Sequence, residues 1–211
     1  MPTQADEPAL TSIDAGSDDD GQTGARIAEW VRAARAGDGR AFGRLVERHE
    51  AMVLRTALRL LGRMDEAQDA AQETFLRMHK YLGRFDESRE LGPWLYRMVV
   101  NTCHDLASRR RAARLVPLDE LREVEHPTSS VGPEEVDRAL ALAEKRRLVA
   151  AALAELPEKE RAVIVLRDLE GLSTSEVARM LGSSEGTVRS QASTGRLKIK
   201  AFVEGRQGKS R

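Results

Sequence analysis

The chain has 211 residues, 32% of them charged and only 4% aromatic, a composition suited to short amphipathic helices rather than sheets. Its single cysteine, Cys103, excludes an internal disulfide framework and argues against a zinc cluster, so no metal and no cofactor is expected. The formal net charge of zero hides a segregation. Residues 1–25 carry six acids and no base, 26–112 carry 17 bases against 12 acids, 115–137 seven acids against one base, and 138–211 15 bases against nine acids.

The acidic segment 1–25 reads as a solvated, disordered tail. It lacks the basic and apolar order of a signal peptide, and no stretch of the chain approaches a membrane span, so a cytoplasmic protein with no membrane partner is expected. Ile27, Trp30, Val31 and Ala34 then follow the spacing of a buried helical stripe, which Gly37 ends. Asp38 is placed to cap a second helix running to Gly62, with Phe42, Leu45, His49, Met52 and Leu60 roughly in phase. Asp65 is expected to cap a third, whose apolar stripe is Ala71, Phe75, Met78 and Leu82, leaving Asp69, Gln72, Glu73 and Lys80 on other faces. After a polar loop from Arg84 to Glu90, Pro93 suits the first turn of a fourth helix. Its buried face is Leu95, Val99, Thr102 and Leu106, and Arg97, Asn101, His104, Asp105 and Ser108 form the opposite, polar stripe. Four helices make one small domain over 26–114.

No helical period survives across 115–137, where Pro117, Pro127, Gly132 and Pro133 lie among the acids, and this segment reads as a flexible acidic linker. A second helical domain spans 138–203, followed by a frayed tail at 204–211. Within it Pro157 starts a helix, and the run Ala162 to Leu166, which on composition alone suits a strand, fits a buried helix better given its charged approach and the Leu166, Leu169 spacing.

The sharpest local signal lies between Ser173 and Val188. Ser173 and Glu176 have the spacing of a capping box, Ala178 is small where two helices must approach, Gly182 permits a tight turn, and Val188 points back into the core: the spacing of a helix-turn-helix. Ser184 would cap the second helix, presenting Glu185, Thr187, Arg189 and Ser190 on the N-terminal face that enters a major groove. Arg196, Lys198 and Lys200 follow in the same helix and suit phosphate contacts.

Two separate stretches resemble one family, the extracytoplasmic-function (group IV) sigma factors. Met64-Asp-Glu-Ala-Gln-Asp-Ala-Ala-Gln-Glu-Thr-Phe-Leu-Arg77 and Gly92-Pro-Trp-Leu-Tyr-Arg-Met-Val-Val-Asn101 are similar to its second conserved region, and residues 153–200 to its fourth. The resemblance implies an all-α, two-domain, non-enzymatic subunit whose partners are RNA polymerase core enzyme and promoter DNA, with an anti-sigma protein as a further partner the sequence leaves open. It implies core docking through Asp69, Gln72 and Glu73. Capture of a melted −10 strand would fall to Phe85, Trp94, Arg97, Asn101, His104, Asp105, Arg109 and Arg110, and the −35 duplex would be read by Glu185, Thr187, Arg189 and Ser190, backed by Arg196 and Lys198. One departure is the stretch Gln191-Ala-Ser-Thr-Gly195, where many members continue with a basic run. The 23 linker residues would reach at most ~80 Å, enough for two duplex turns of roughly 70 Å.

Two rivals stand beside this reading. A conventional helix-turn-helix regulator would bind operator DNA as a dimer, but leaves 64–112 unexplained. An enzyme built on Cys103 and His104 fails on geometry, because adjacent helical residues point about 100° apart.

Overall fold

The structure, a computed structural model, describes residues 20–113 and 133–207, with side chains over 24–111 and 143–206. The tail 1–19, the linker stretch 114–132 and the end 208–211 lie outside the described residues. Among those described, every regular element is helical.

Helix α1 (Asp20–Arg35) begins inside the segment expected to be a tail and ends before Gly37, which takes φ 98°. The chain then turns into α2 (Gly39–Leu61). Asp38 caps it, accepting from the backbone N–H groups of Arg40 at 2.8 Å and Ala41 at 3.2 Å, and Gly62 closes it in the left-handed region. Those two residues bound the helix as the sequence predicts. Helix α3 (Met64–Tyr81) starts differently: Arg63 occupies the cap position and makes no side-chain cap, while Asp65 lies in the first turn. There the Arg63 guanidinium grips Asp65 at 2.6 and 3.2 Å and, with the backbone N–H of Glu66, holds its carboxyl down at about 2. An acid one residue inside still meets the positive end of the helix, so it contributes without capping. A short 3₁₀ turn (Leu82–Arg84) leads to α4 (Leu91–Ala113), with Pro93 in its first turn.

These four helices enclose two touching clusters. Val31, Leu45, Met78, Leu82, Phe85, Leu91 and Leu95 form one; Val53, Ala57, Ala67, Ala70, Ala71, Val99 and Cys103 form the other. The alanines on α3 let its backbone approach α2 and α4, and Thr74, fully buried, donates its hydroxyl to the Ala70 carbonyl at 2.7 Å.

The chain resumes with α5 (Pro133–Ala154), so 133–137, read from sequence as linker, are already helical. After Pro157 comes α6 (Glu158–Val163), which widens into a single π-helical stretch (Ile164–Leu169). The run Ala162 to Leu166 is therefore helical as expected, and every residue in it is buried. The wider register is visible in the Glu170 N–H, which bonds back to Val165 at 3.0 Å. Helices α7 (Thr174–Leu181) and α8 (Glu185–Gln207) complete the fold, the last passing the expected boundary at 203.

Candidate polymerase and nucleic-acid interfaces

On α3 the turn-by-turn spacing that buries Ala67, Ala70, Ala71, Thr74 and Met78 turns Asp69 and Gln72 outward. Glu73 is half-buried. Arg77 donates to Glu73 at 2.8 Å and, across to α4, to Asp105 at 2.9 Å, so the two acids share one guanidinium. Leu76, one turn beyond Gln72, is 60% exposed and extends this face with an apolar side chain. Nothing in the helical stripe argument picked it out, because an exposed leucine looks like a core residue until its phase is known.

The α4 stripe is also built by phase. Leu95 and Val99 are fully buried, whereas Arg97, Asn101, His104 and Arg109 are exposed. Four residues predicted as −10 contacts are otherwise engaged. Phe85 is only 6% exposed and sits in the bundle core, its ring centroid 5.0 Å from that of Trp94 at an interplanar angle of 53°. An aromatic closing a 3₁₀ turn over a bundle is pulled inward by the area it buries, and the loop position alone did not reveal this. Trp94 is half-buried in the same cluster. Asp105 is taken by Arg77, and Arg110 pairs with Glu66 at 2.5 Å.

In the helix-turn-helix the local chemistry is as the sequence predicts. The Ser173 hydroxyl accepts from the Glu176 N–H at 3.3 Å while the Glu176 carboxylate accepts from the Ser173 N–H at 2.8 Å, a reciprocal box that lowers the Glu176 pKa. Gly182 turns at φ 61°, and Val177, Ala178, Val188 and Ala192 pack between α7 and α8. The Ser184 hydroxyl accepts from the Thr187 N–H at 3.1 Å, starting α8 so that Glu185, Thr187, Arg189 and Ser190 are all exposed. Arg189 reaches back to Glu185 at 3.2 Å, a surface pair of little energetic weight. Further along, Arg196 makes a bidentate pair with Asp168 at 2.8 and 2.7 Å, and Lys198 meets both oxygens of Glu160 at 2.8 Å. Two of the three basic residues predicted to face phosphate thus tie α8 to α6 and to the π-helical stretch that follows it. The unusual stretch 191–195 also has a packing reason. Ala192 is fully buried, and a Cβ on Gly195 would fall 2.9 Å from Ile164 Cγ1, so small residues set the approach of α8.

Helix α4 meets α6 and α8 across one cleft of about 720 Å³, lined by Asn101, His104 and Arg111 on one side and by Glu158, Thr187 and Gln191 on the other. Cys103 borders it from within the bundle, its thiol pushed up to about 12 by burial, which leaves no reactive thiolate at neutral pH. Among the described residues no group of three or more His, Cys, Asp or Glu side chains could hold a metal ion, and no helix is long and apolar enough to cross a membrane.

A four-helix bundle followed by a helix-turn-helix domain gives an all-helical, two-domain protein of the DNA-binding class. Residues 45–114 match the model of Sigma-70 region 2, and residues 146–199 that of Sigma-70 region 4. The chain is 37% identical over 173 residues, 82% of each protein, to the ECF RNA polymerase sigma factor SigM of Mycobacterium tuberculosis. It is 34% identical to the RNA polymerase sigma-H factor of Pseudomonas aeruginosa, over 76% of this chain and 85% of that one. Among solved structures it resembles CnrH in complex with the cytosolic domain of CnrY, with a TM-score of 0.60 and 29% identity over 85% of this chain and 98% of that one. The chain belongs to the ECF RNA polymerase sigma factors. It is a sigma factor, directing promoter-specific transcription by RNA polymerase, and the operator-binding regulator is not favoured because it leaves the region 2 match unexplained.

Proposed function

We propose that the described surfaces divide promoter recognition as follows: Asp69, Gln72 and Glu73 dock on the polymerase core, the exposed α4 residues Arg97, Asn101, His104 and Arg109 hold a melted −10 strand, and the start of α8 reads the −35 duplex. The observation that carries this is the start of α8. Glu185, Thr187, Arg189 and Ser190 are exposed together at the N-terminus of a capped helix whose inner face, Val188 and Ala192, is fully buried. A rigidly seated helix with polar first-turn residues is what major-groove readout requires. Domain limits of 26–114 and 138–203 fit this division, as do a cytoplasmic site of action and the absence of catalysis. A partner that occupies the cleft and so blocks both DNA elements is the natural form of an anti-sigma protein for this chain.

The test is twofold. Changing Asp69, Gln72 and Glu73 together to Ala should weaken co-purification with core polymerase while far-UV circular dichroism stays unchanged. An Arg189→Ala protein should lose roughly 1–3 kcal/mol on the upstream element and relax specificity at one base pair if the contact is bidentate. Uniform weakening over all upstream sequences would demote Arg189 to a phosphate contact.

A further inference from the structure

We propose that Glu170 is an internal latch, holding the helix-turn-helix domain against the N-terminal bundle in a closed state of the free chain. Engagement of nucleic acid must open it. The inference rests on the division of labour above only for what opening achieves; closure stands on its own contacts.

Glu170 directly follows the π-helical stretch, and its side chain is 2% exposed. Its donors come from α2 and α4 of the other domain: Arg59 at 2.5 Å, the Tyr96 hydroxyl at 2.9 Å, the Thr56 hydroxyl at 3.2 Å and Arg55 at 3.4 Å. A carboxylate withdrawn from water is costly unless its charge and lone pairs are met, and here both oxygens are met across the domain boundary. Three further contacts accompany it. Arg111 donates to Glu158 at 2.6 Å, Arg161 donates to the Leu60 carbonyl at 2.9 Å, and Val100 of α4 packs with Val163, Leu166 and Val188.

The consequence is geometric. Asn101 and His104 share one cleft with Thr187 and Gln191, whereas two promoter elements lie about two duplex turns apart, roughly 70 Å. Readers that share a cleft cannot hold both elements, so this state is closed to promoter. Glu158 and Glu170 also occupy Arg111, Arg55 and Arg59, cations that a phosphate backbone would otherwise neutralise. Duplex DNA and the latch therefore compete for the same guanidinium groups.

The experiment uses the full chain with donor and acceptor dyes on Gln68→Cys and Ser193→Cys, exposed positions of α3 and α8. Glu170→Gln keeps the shape and removes the charge. It should shift the closed-to-open ratio by about tenfold or more, read as lost energy transfer. Arg59→Gln should do the same, and the double variant should open little further, because the two changes remove one interaction. Affinity for a random-sequence duplex of about 40 base pairs should rise about three- to tenfold in Glu170→Gln, with a steeper salt dependence. Adding that duplex to the unaltered chain should lower its energy transfer. Unchanged transfer in Glu170→Gln, or fully additive opening in the double variant, overturns the latch. Opening with unchanged duplex affinity overturns the competition between latch and DNA. Energy transfer decides closure whether or not the promoter assignments of α4 and α8 survive their own test, so the two failures are distinguishable.

Discussion

In the N-terminal bundle, Leu45, Met78, Leu95 and Val99 are fully buried in clusters drawn entirely from residues 27–106. In the C-terminal domain, Val163, Leu166 and Val188 are just as buried, but their cluster includes Val100 of the bundle, with Leu60 and Tyr96 packed against it. One domain completes its own core; the other borrows. Burying the same kind of side chain therefore has different reach in the two regions. A lesion in the bundle removes a platform that the C-terminal domain leans on, whereas a lesion in the C-terminal domain leaves the bundle intact. Both tryptophans, Trp30 and Trp94, lie in the bundle, so their emission reports that region while circular dichroism reports both.

The largest expected effect comes from the bundle. Leu95→Ala removes a fully buried side chain from the cluster that joins α1, α2 and α4, and should cost about 2–5 kcal/mol. The urea transition followed by tryptophan emission should move to lower denaturant, and the dichroism transition should move with it. If dichroism kept a late transition at the original midpoint, the C-terminal domain would not depend on the bundle.

A smaller and one-sided effect is expected at Gly195. Its added Cβ meets Ile164 at 2.9 and 3.2 Å, atoms of a packed branched side chain. Overpacking of this kind costs about 1–3 kcal/mol, against a helix-propensity gain of about 1 kcal/mol for Gly→Ala. Gly195→Ala should therefore destabilise α8 packing on balance, lowering the dichroism midpoint while the tryptophan transition stays where it was. A coincident shift of both signals would mean that the dependence runs in both directions.

The same contrast explains what the sequence could disclose. Wherever a boundary is decided by a few neighbouring residues, the reading matches the structure: Asp38 and Gly62 bound α2, and Ser173, Glu176 and Gly182 build the turn of the helix-turn-helix. Asp65 is the near miss, because an acid at the cap and an acid in the first turn look alike in sequence and both favour the positive helix end. What the sequence could not disclose are side chains whose surroundings in the fold are settled by partners outside their own window. Phe85 folds under Trp94; Asp105 goes to Arg77, Arg196 to Asp168 and Lys198 to Glu160, these three pairs lying 28 to 38 residues apart. Glu170 escaped notice for the same reason: its nearest partner in sequence is Tyr96, 74 residues away. Even the exposure of Leu76 follows from which neighbours α3 chose and not from its own window.

A pH dependence confined to the bundle sharpens the comparison at its smallest scale. His49 is buried on α2, and its Nδ1 lies 2.8 Å from the Leu45 carbonyl, so that nitrogen carries the proton and donates. Burial is the main cause that lowers its pKa from the usual 6.5; the backbone bond opposes this, and nearby Arg48 adds to the lowering. The unfolded chain therefore takes up a proton at this site before the folded one does. Stability is full above about pH 6.5 and falls as the pH drops toward the folded value, by at most about 1.4 kcal/mol per pH unit. Asp65 works in a separate window, since a carboxyl held at about 2 loses its contribution only as the pH falls below about 4. Between pH 7.5 and 5.5, then, the tryptophan-detected midpoint should decline in the unaltered chain and decline less in His49→Gln. Gln is uncharged throughout that range and can still donate to the carbonyl. Equal slopes for the two proteins would assign the pH response to another group and leave His49 as a neutral bystander in the α2 packing.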